Sequence, residues 1–142
     1  MNRTTNLQAV TCFLLSCLTM HSLLAGDPAE QKAQQSAERW LALADNGTFT
    51  ENWKSASPML QQSVSQEKWS AALDQVRKPL GALTSRKLST AKREKSLPGA
   101  PDGDYVVMQF QTSFANKKEA TETVTATLDK DGTWKIAGYF IK

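Results

Sequence analysis

The sequence predicts an α+β domain, with helices first and a four-stranded antiparallel meander after them. Three observations lead there. Apolar residues recur at helical spacing from Ala33 to Val76. From Asp104 onward the pattern changes to a period of two in three segments, DYVVMQFQTSF, ATETVTATL and WKIAGYFIK. Ahead of both lies an uncharged, largely apolar run, Leu7 to Leu24, preceded by Arg3 and followed by Ala25–Gly26–Asp27–Pro28. That is the pattern of a secretory signal peptide.

Cleavage near Ala25 or Gly26 divides the 142 residues into a leader, 1–26, and one domain, 27–142. The alternative is an uncleaved anchor, but Thr11, Ser16, Thr19, His21 and Ser22 dilute a run already marginal for a span of about 20 residues. Export puts the domain in the periplasm or outside the cell, with no stable membrane insertion once the leader is gone. Both cysteines, Cys12 and Cys17, and the only histidine, His21, leave with the leader. Disulfides, thiol catalysis, a serine–histidine triad and zinc sites built on His and Cys are then closed to the mature domain. No metal and no cofactor is expected. Loss of Arg3 leaves 16 basic side chains against 14 acidic ones. Near-neutral charge without interleaved aromatic residues argues against a nucleic-acid partner.

The elements follow in order. Asp27 caps a helix whose first position is Pro28, and Ala33, Ala37, Trp40, Leu41 and Ala44 form its apolar stripe up to Asn46–Gly47. Thr48–Ser55 is a short helix carrying Phe49 and Trp53. Ser57–Pro58 opens another through Met59, Leu60 and Val64. Ser65 caps a third stretch, 66–78, with Trp69, Leu73 and Val76 as its stripe, ended by Pro79 and Gly81. The first strand covers 82–91, and a Pro- and Gly-rich loop runs to Gly103.

Period-two faces then set an expected register. Val106 opposes Leu128, Met108 opposes Ala126 and Phe110 opposes Val124, while Leu128, Ala126 and Val124 oppose Trp134, Ile136 and Gly138. Gly132 takes the left-handed turn position. Gly138 marks a bend or bulge. Phe140 belongs to the inner face, and Tyr139 to a threonine-rich outer one. A curved sheet around helices resembles the cone-like architecture of the nuclear-transport-factor-2-like and cystatin-like folds, an analogy of fold and not of activity.

Glu122 is the candidate catalytic residue, because its parity puts a carboxylate on the apolar face, where a buried acid can act as a general base. At the end of its block it can also escape to water. Tyr105, Val107, Tyr139 and Ile141 form a candidate ligand or partner patch on the outer sheet face, and Trp53, on its short helix, is a separate candidate for lining a ligand pocket. Asp129 and Asp131, like Asp102 and Asp104, fit turn chemistry rather than calcium. Arg77, Lys78, Arg86, Lys87, Lys92, Arg93 and Lys95 make a basic stretch suited to an acidic surface or to guarding a strand edge.

Three blocks, WLALADNGTFTENWKSASP, KWSAALDQVRKPLGALTSRKL and SLPGAPDGDYVVMQFQTSFANKKEATETVT with DGTWKIAGYFIK, resemble the bacterial family known only as domain of unknown function 4019. The resemblance covers nearly all of 27–142. It implies a short exported domain of helices followed by strands, and carries no catalytic residue across. Together these readings favour a non-catalytic module of the cell envelope that binds a protein partner or a small apolar ligand. The alternatives are a carboxylate-dependent isomerase or dehydratase, with Glu122 as base and Tyr139 or Tyr105 as proton partner, and a structural or assembly subunit. Protein recovered from cells should begin at Gly26 or Asp27 by intact mass. A mass that retains the first 25 residues would restore the imidazole and both thiols.

Overall fold

The computed structural model describes residues 26–142, so nearly all of the expected leader, with Cys12, Cys17 and His21, lies outside the described residues. Four α-helices precede four strands: α1 Pro28–Asp45, α2 Phe49–Lys54, α3 Pro58–Ser63, α4 Gln66–Arg77, then β1 Leu83–Glu94, β2 Tyr105–Phe114, β3 Lys117–Leu128 and β4 Trp134–Ile141. The strands form one antiparallel sheet in sequence order. Among the described residues no helix is long and apolar enough to cross a membrane.

The helix starts follow from their caps. Asp27 Oδ1 accepts from the Ala29 N–H at 2.9 Å, Ser57 Oγ from Leu60 at 3.2 Å and Ser65 Oγ from Lys68 at 3.4 Å. All five expected stripe residues of α1 are buried. The stripe members Ala33, Ala37, Trp40 and Leu41 join Val106, Met108, Phe110, Val124, Ala126 and Ile136 in one core. The result is two layers around one apolar interior.

Polar groups tie α2 to α1 and α4 to α2. The Trp40 indole donates to the Asn52 backbone oxygen at 2.9 Å, and Asn52 Nδ2 donates to the Trp40 backbone oxygen at 2.9 Å. Asn52 Oδ1 accepts from the Trp69 indole at 2.8 Å. One fully buried amide thus joins α1, α2 and α4.

Several expectations need correction. β1 runs three residues further than its weak alternation suggested, to Glu94. Between β2 and β3 the register differs by two: Val106 faces Ala126, Met108 faces Val124 and Phe110 faces Glu122. A shift of two keeps every side chain on its face, so apolar patterning alone does not separate the two registers. Between β3 and β4 the expected pairs Leu128–Trp134 and Ala126–Ile136 are present. The bulge foreseen near Gly138 then inserts one residue, so that Thr125 faces Gly138 and Val124 faces Tyr139. Every residue beyond the bulge changes face. Tyr139 turns inward and packs edge-on against Trp40 at 5.5 Å between ring centres. Phe140 turns outward and is 60% exposed. On α4, Val76 is exposed and Arg77 is buried in its place. Gly132 holds φ +81° in the β3–β4 turn, as its place before Thr133 required.

Candidate functional site

Glu122 does not escape to water. It is fully buried on the inner face of β3, beside Ala120 and Val124. Its Oε1 accepts from Tyr139 Oη at 2.6 Å, from Arg77 Nη1 at 3.0 Å and from Arg86 Nη2 at 3.1 Å. Its Oε2 accepts from Arg86 Nε at 2.5 Å and Thr112 Oγ1 at 2.7 Å. Asp45, the last residue of α1, faces the same arginines. Its Oδ2 accepts from Arg86 Nη1 at 2.7 Å and its Oδ1 from Arg86 Nη2 at 2.9 Å, and Arg77 Nη2 also donates to Oδ1. The Arg77 guanidinium stands over the Phe114 ring at 4.9 Å.

Two arginines are therefore held between two carboxylates, with no net charge. Each member sits where its element's period places a core residue. Asp45 follows Ala37 and Leu41 at intervals of four, Arg77 follows Trp69 and Leu73 likewise, and Arg86 precedes the half-buried Leu88 by two. The basic stretch read from the sequence is thus divided. Arg77 and Arg86 go inward; Lys92 pairs with Glu94, and Arg93 and Lys95 pair with Asp104. Lys78 and Lys87 alone of that set carry no ion pair among the described residues.

The electrostatics agree with the geometry. Burial by itself would raise the Asp45 carboxyl, but the hydrogen bonds and charge of Arg86, and then of Arg77, outweigh it and hold Asp45 below its usual 3.8. Burial, then the charge of Glu122 and the bond to it, push the Tyr139 phenol above its usual 10, so it stays neutral and donates. Burial opposes the charge on Arg86, and the bonds it donates to Asp45 and Glu122 reverse that.

As a catalytic base Glu122 is badly placed. Five donors occupy its two oxygens, leaving none turned toward a substrate. Tyr139 does reach it, contrary to the outer-face expectation, because of the bulge. Tyr105 does not: it is 2% exposed, covered by the loop before β2, and donates to the Pro101 backbone oxygen at 2.7 Å. The expected outer patch therefore dissolves. Val107 remains half-buried on the outer face, between Lys92 and Thr125. Trp53 is half-buried and donates to the Val64 backbone oxygen at 2.9 Å. Asp129 and Asp131 are engaged by Lys135, and Asp131 also by Thr133.

The structure offers a different surface. A groove of about 220 Å³ runs between α4 and β4, with Trp69, Ala72, Leu73 and Val76 on one side and Tyr139 to Ile141 on the other. None of these side chains is charged. Val76 and Phe140 are two of the three large apolar residues exposed among the described residues. Sequence reasoning placed Tyr139 and Ile141 in a patch but missed Phe140 and Val76, whose faces depend on the bulge and on Arg77.

Replacing Glu122 by Gln should lower stability by roughly 3–5 kcal/mol, since it strips two buried arginines of one counter-charge; urea unfolding measures it. The wild-type stability owed to Asp45 is fully present above about pH 3.8 and is lost as pH falls through its lowered folded value. Asp45→Asn should be weaker near neutral pH and lose less on acidification. Equal acid slopes in the two proteins would contradict the pairing.

Comparison with known proteins adds fold and family. A 2.5 Å structure of a protein from Catenulispora acidiphila is similar with a TM-score of 0.52 at 11% identity, over 79% of this chain and 88% of that one. At that identity the likeness concerns the fold alone. No curated protein matches the sequence. The family model described as "Protein of unknown function (DUF4019)" matches residues 36–139. The chain belongs to that family, as the three sequence blocks implied.

Proposed function

We propose that this protein is an exported, non-catalytic binding module of the cell envelope, and that the groove between α4 and β4 is its binding surface. The observation that carries this reading is the contrast between its two unusual features. The buried acid that would serve an enzyme is consumed by internal donors. Two of the three exposed large apolar side chains among the described residues instead converge at the surface. Other depressions are lined in part by charge, with Arg39, Asp74, Glu38 or Lys87 at their walls. An uncharged groove with exposed Val76 and Phe140 is the surface that gains most from being covered.

The finer architectural reading, a cone of the nuclear-transport-factor-2-like or cystatin-like kind, belongs with this proposal. It is supported by the α+β order and by strand irregularities between Leu88 and Thr90 and between Thr125 and Ala126, which bend a sheet. Where such a cone would hold a ligand, this chain packs Trp40, Tyr139 and the ion cluster. Export is supported by the leader pattern, and the near-neutral charge of 27–142 argues against a nucleic-acid partner.

A photo-crosslinking residue at position 140, produced in the native host with the leader intact, should give a discrete product, while the same residue at position 87 on the opposite edge should not. Val76→Asp should abolish the product without changing thermal stability by more than about 0.5 kcal/mol, as for other surface changes. Undiminished crosslinking in that variant would contradict the groove as the binding surface.

A further inference from the structure

Strand β4 is an edge of the sheet, and its two halves differ. In the first half the helical layer occupies the outward backbone carbonyls. The Ile136 carbonyl accepts from the Ser57 N–H at 2.8 Å, and the Trp134 carbonyl accepts from Ser36 Oγ at 2.5 Å. The second half is open. Thr121 and Lys142 exchange both backbone bonds, at 2.8 and 3.1 Å. Alternation along an antiparallel pair then turns the Phe140 groups toward β3 and those of Tyr139 and Ile141 away from it. These outward N–H and C=O groups have no partner among the described residues. They lie along the apolar groove.

We infer that the groove takes an extended, uncharged peptide segment of another protein, which pairs with Tyr139 and Ile141 as a fifth strand. This rests on the proposal that the groove is the binding surface, and names its ligand. Three features fit a strand better than any other apolar ligand. Unpaired edge groups at alternate residues ask for a backbone that repeats at the same interval. The groove has an apolar wall for each face of such a strand. A side chain on the inner face would meet Ala72, Leu73 and Val76, and its neighbour on the outer face would meet Phe140. The lining is uncharged throughout, so it complements a peptide of alternating apolar and small polar residues rather than a charged one.

The opposite edge is built against pairing. β1 presents Lys87, Lys92 and Arg93 and contains two register irregularities. From Ala137 to Ile141 the β4 edge has no lysine and no proline. A second copy fits less well. Its β4 would arrive with its own α4, and helices about 10 Å across would have to flank strands only about 4.8 Å apart.

The test uses nitrogen-15-labelled exported protein and a blocked hexapeptide of alternating threonine and valine as probe, with the same peptide N-methylated at alternate residues as control. The plain peptide should shift the Val76, Tyr139 and Ile141 amide signals and slow hydrogen exchange at Tyr139 and Ile141. The methylated one should not. Ile141→Pro removes an outward N–H while leaving the β3 ladder intact. It should weaken binding roughly tenfold, the effect of one backbone hydrogen bond, whereas Ile141→Val should not. Equal binding of the methylated peptide would overturn strand pairing and leave the groove reading standing. No shift at Val76, Tyr139 or Ile141 with either peptide would overturn both. Protection of the same amides without peptide, rising with protein concentration, would replace the peptide by a second copy and overturn the inference. Should Ile141→Pro fail to fold, the methylated peptide still decides.

Discussion

Asp45, Arg77, Arg86 and Glu122 are held out of water as a set whose charges cancel. Burying one such ion costs several kcal/mol, and mutual attraction offsets this only when each donor and acceptor finds its partner. The arrangement of the elements follows from that requirement. Asp45 ends α1 and Arg77 ends α4; Arg86 belongs to β1 and Glu122 to β3; Thr112 and Tyr139 bring in β2 and β4. Every long element contributes one group. Sliding any of them by a residue leaves a buried charge without its counterpart, whereas purely apolar contacts of the same volume would tolerate the slip.

The bulge at Gly138 connects this interior to the surface. One inserted residue delivers the Tyr139 phenol to Glu122, and the same insertion turns Phe140 out. On α4 the parallel event is Arg77, which takes the inward position and leaves Val76 exposed. The two apolar side chains that frame the groove are therefore exposed because their neighbours are committed to the ion cluster. The core's polar bookkeeping and the outer binding surface have one origin, and a change to either Tyr139 or Arg77 acts on both.

Much of the fold was legible in the residues. Asp27, Ser57 and Ser65 announce helix starts because a short side chain keeps its oxygen close enough to the backbone to satisfy orphan N–H groups, and the α1 stripe is complete. Strand existence and the turn at Gly132 follow from period and from backbone freedom. Register was less legible, since a shift of two preserves both faces and only the fit of individual side chains, such as Phe110 against Glu122, separates the choices. The site was readable in part. Glu122 stands out by parity, but Arg77 and Arg86 read as part of a basic stretch at a solvated edge, because charged residues are usually exposed. Asp45, Arg77 and Arg86 each sit on an apolar period, and two acids and two arginines at core positions is a sum that could have been noticed. The inward turn of Tyr139 was not readable, because a glycine marks a bulge without saying on which side of it the extra residue falls.

The most direct measurement is nitrogen-resolved NMR of the arginine side chains at neutral pH and room temperature. Arg77 and Arg86, each clamped between Asp45 and Glu122, should show separate, slowly exchanging Nη hydrogens, because rotation about the Nε–Cζ bond would break several charge-assisted bonds at once. The exposed Arg39 should show averaged signals that exchange rapidly with water. Averaged, fast-exchanging signals from Arg77 and Arg86 as well would mean that no such clamp exists.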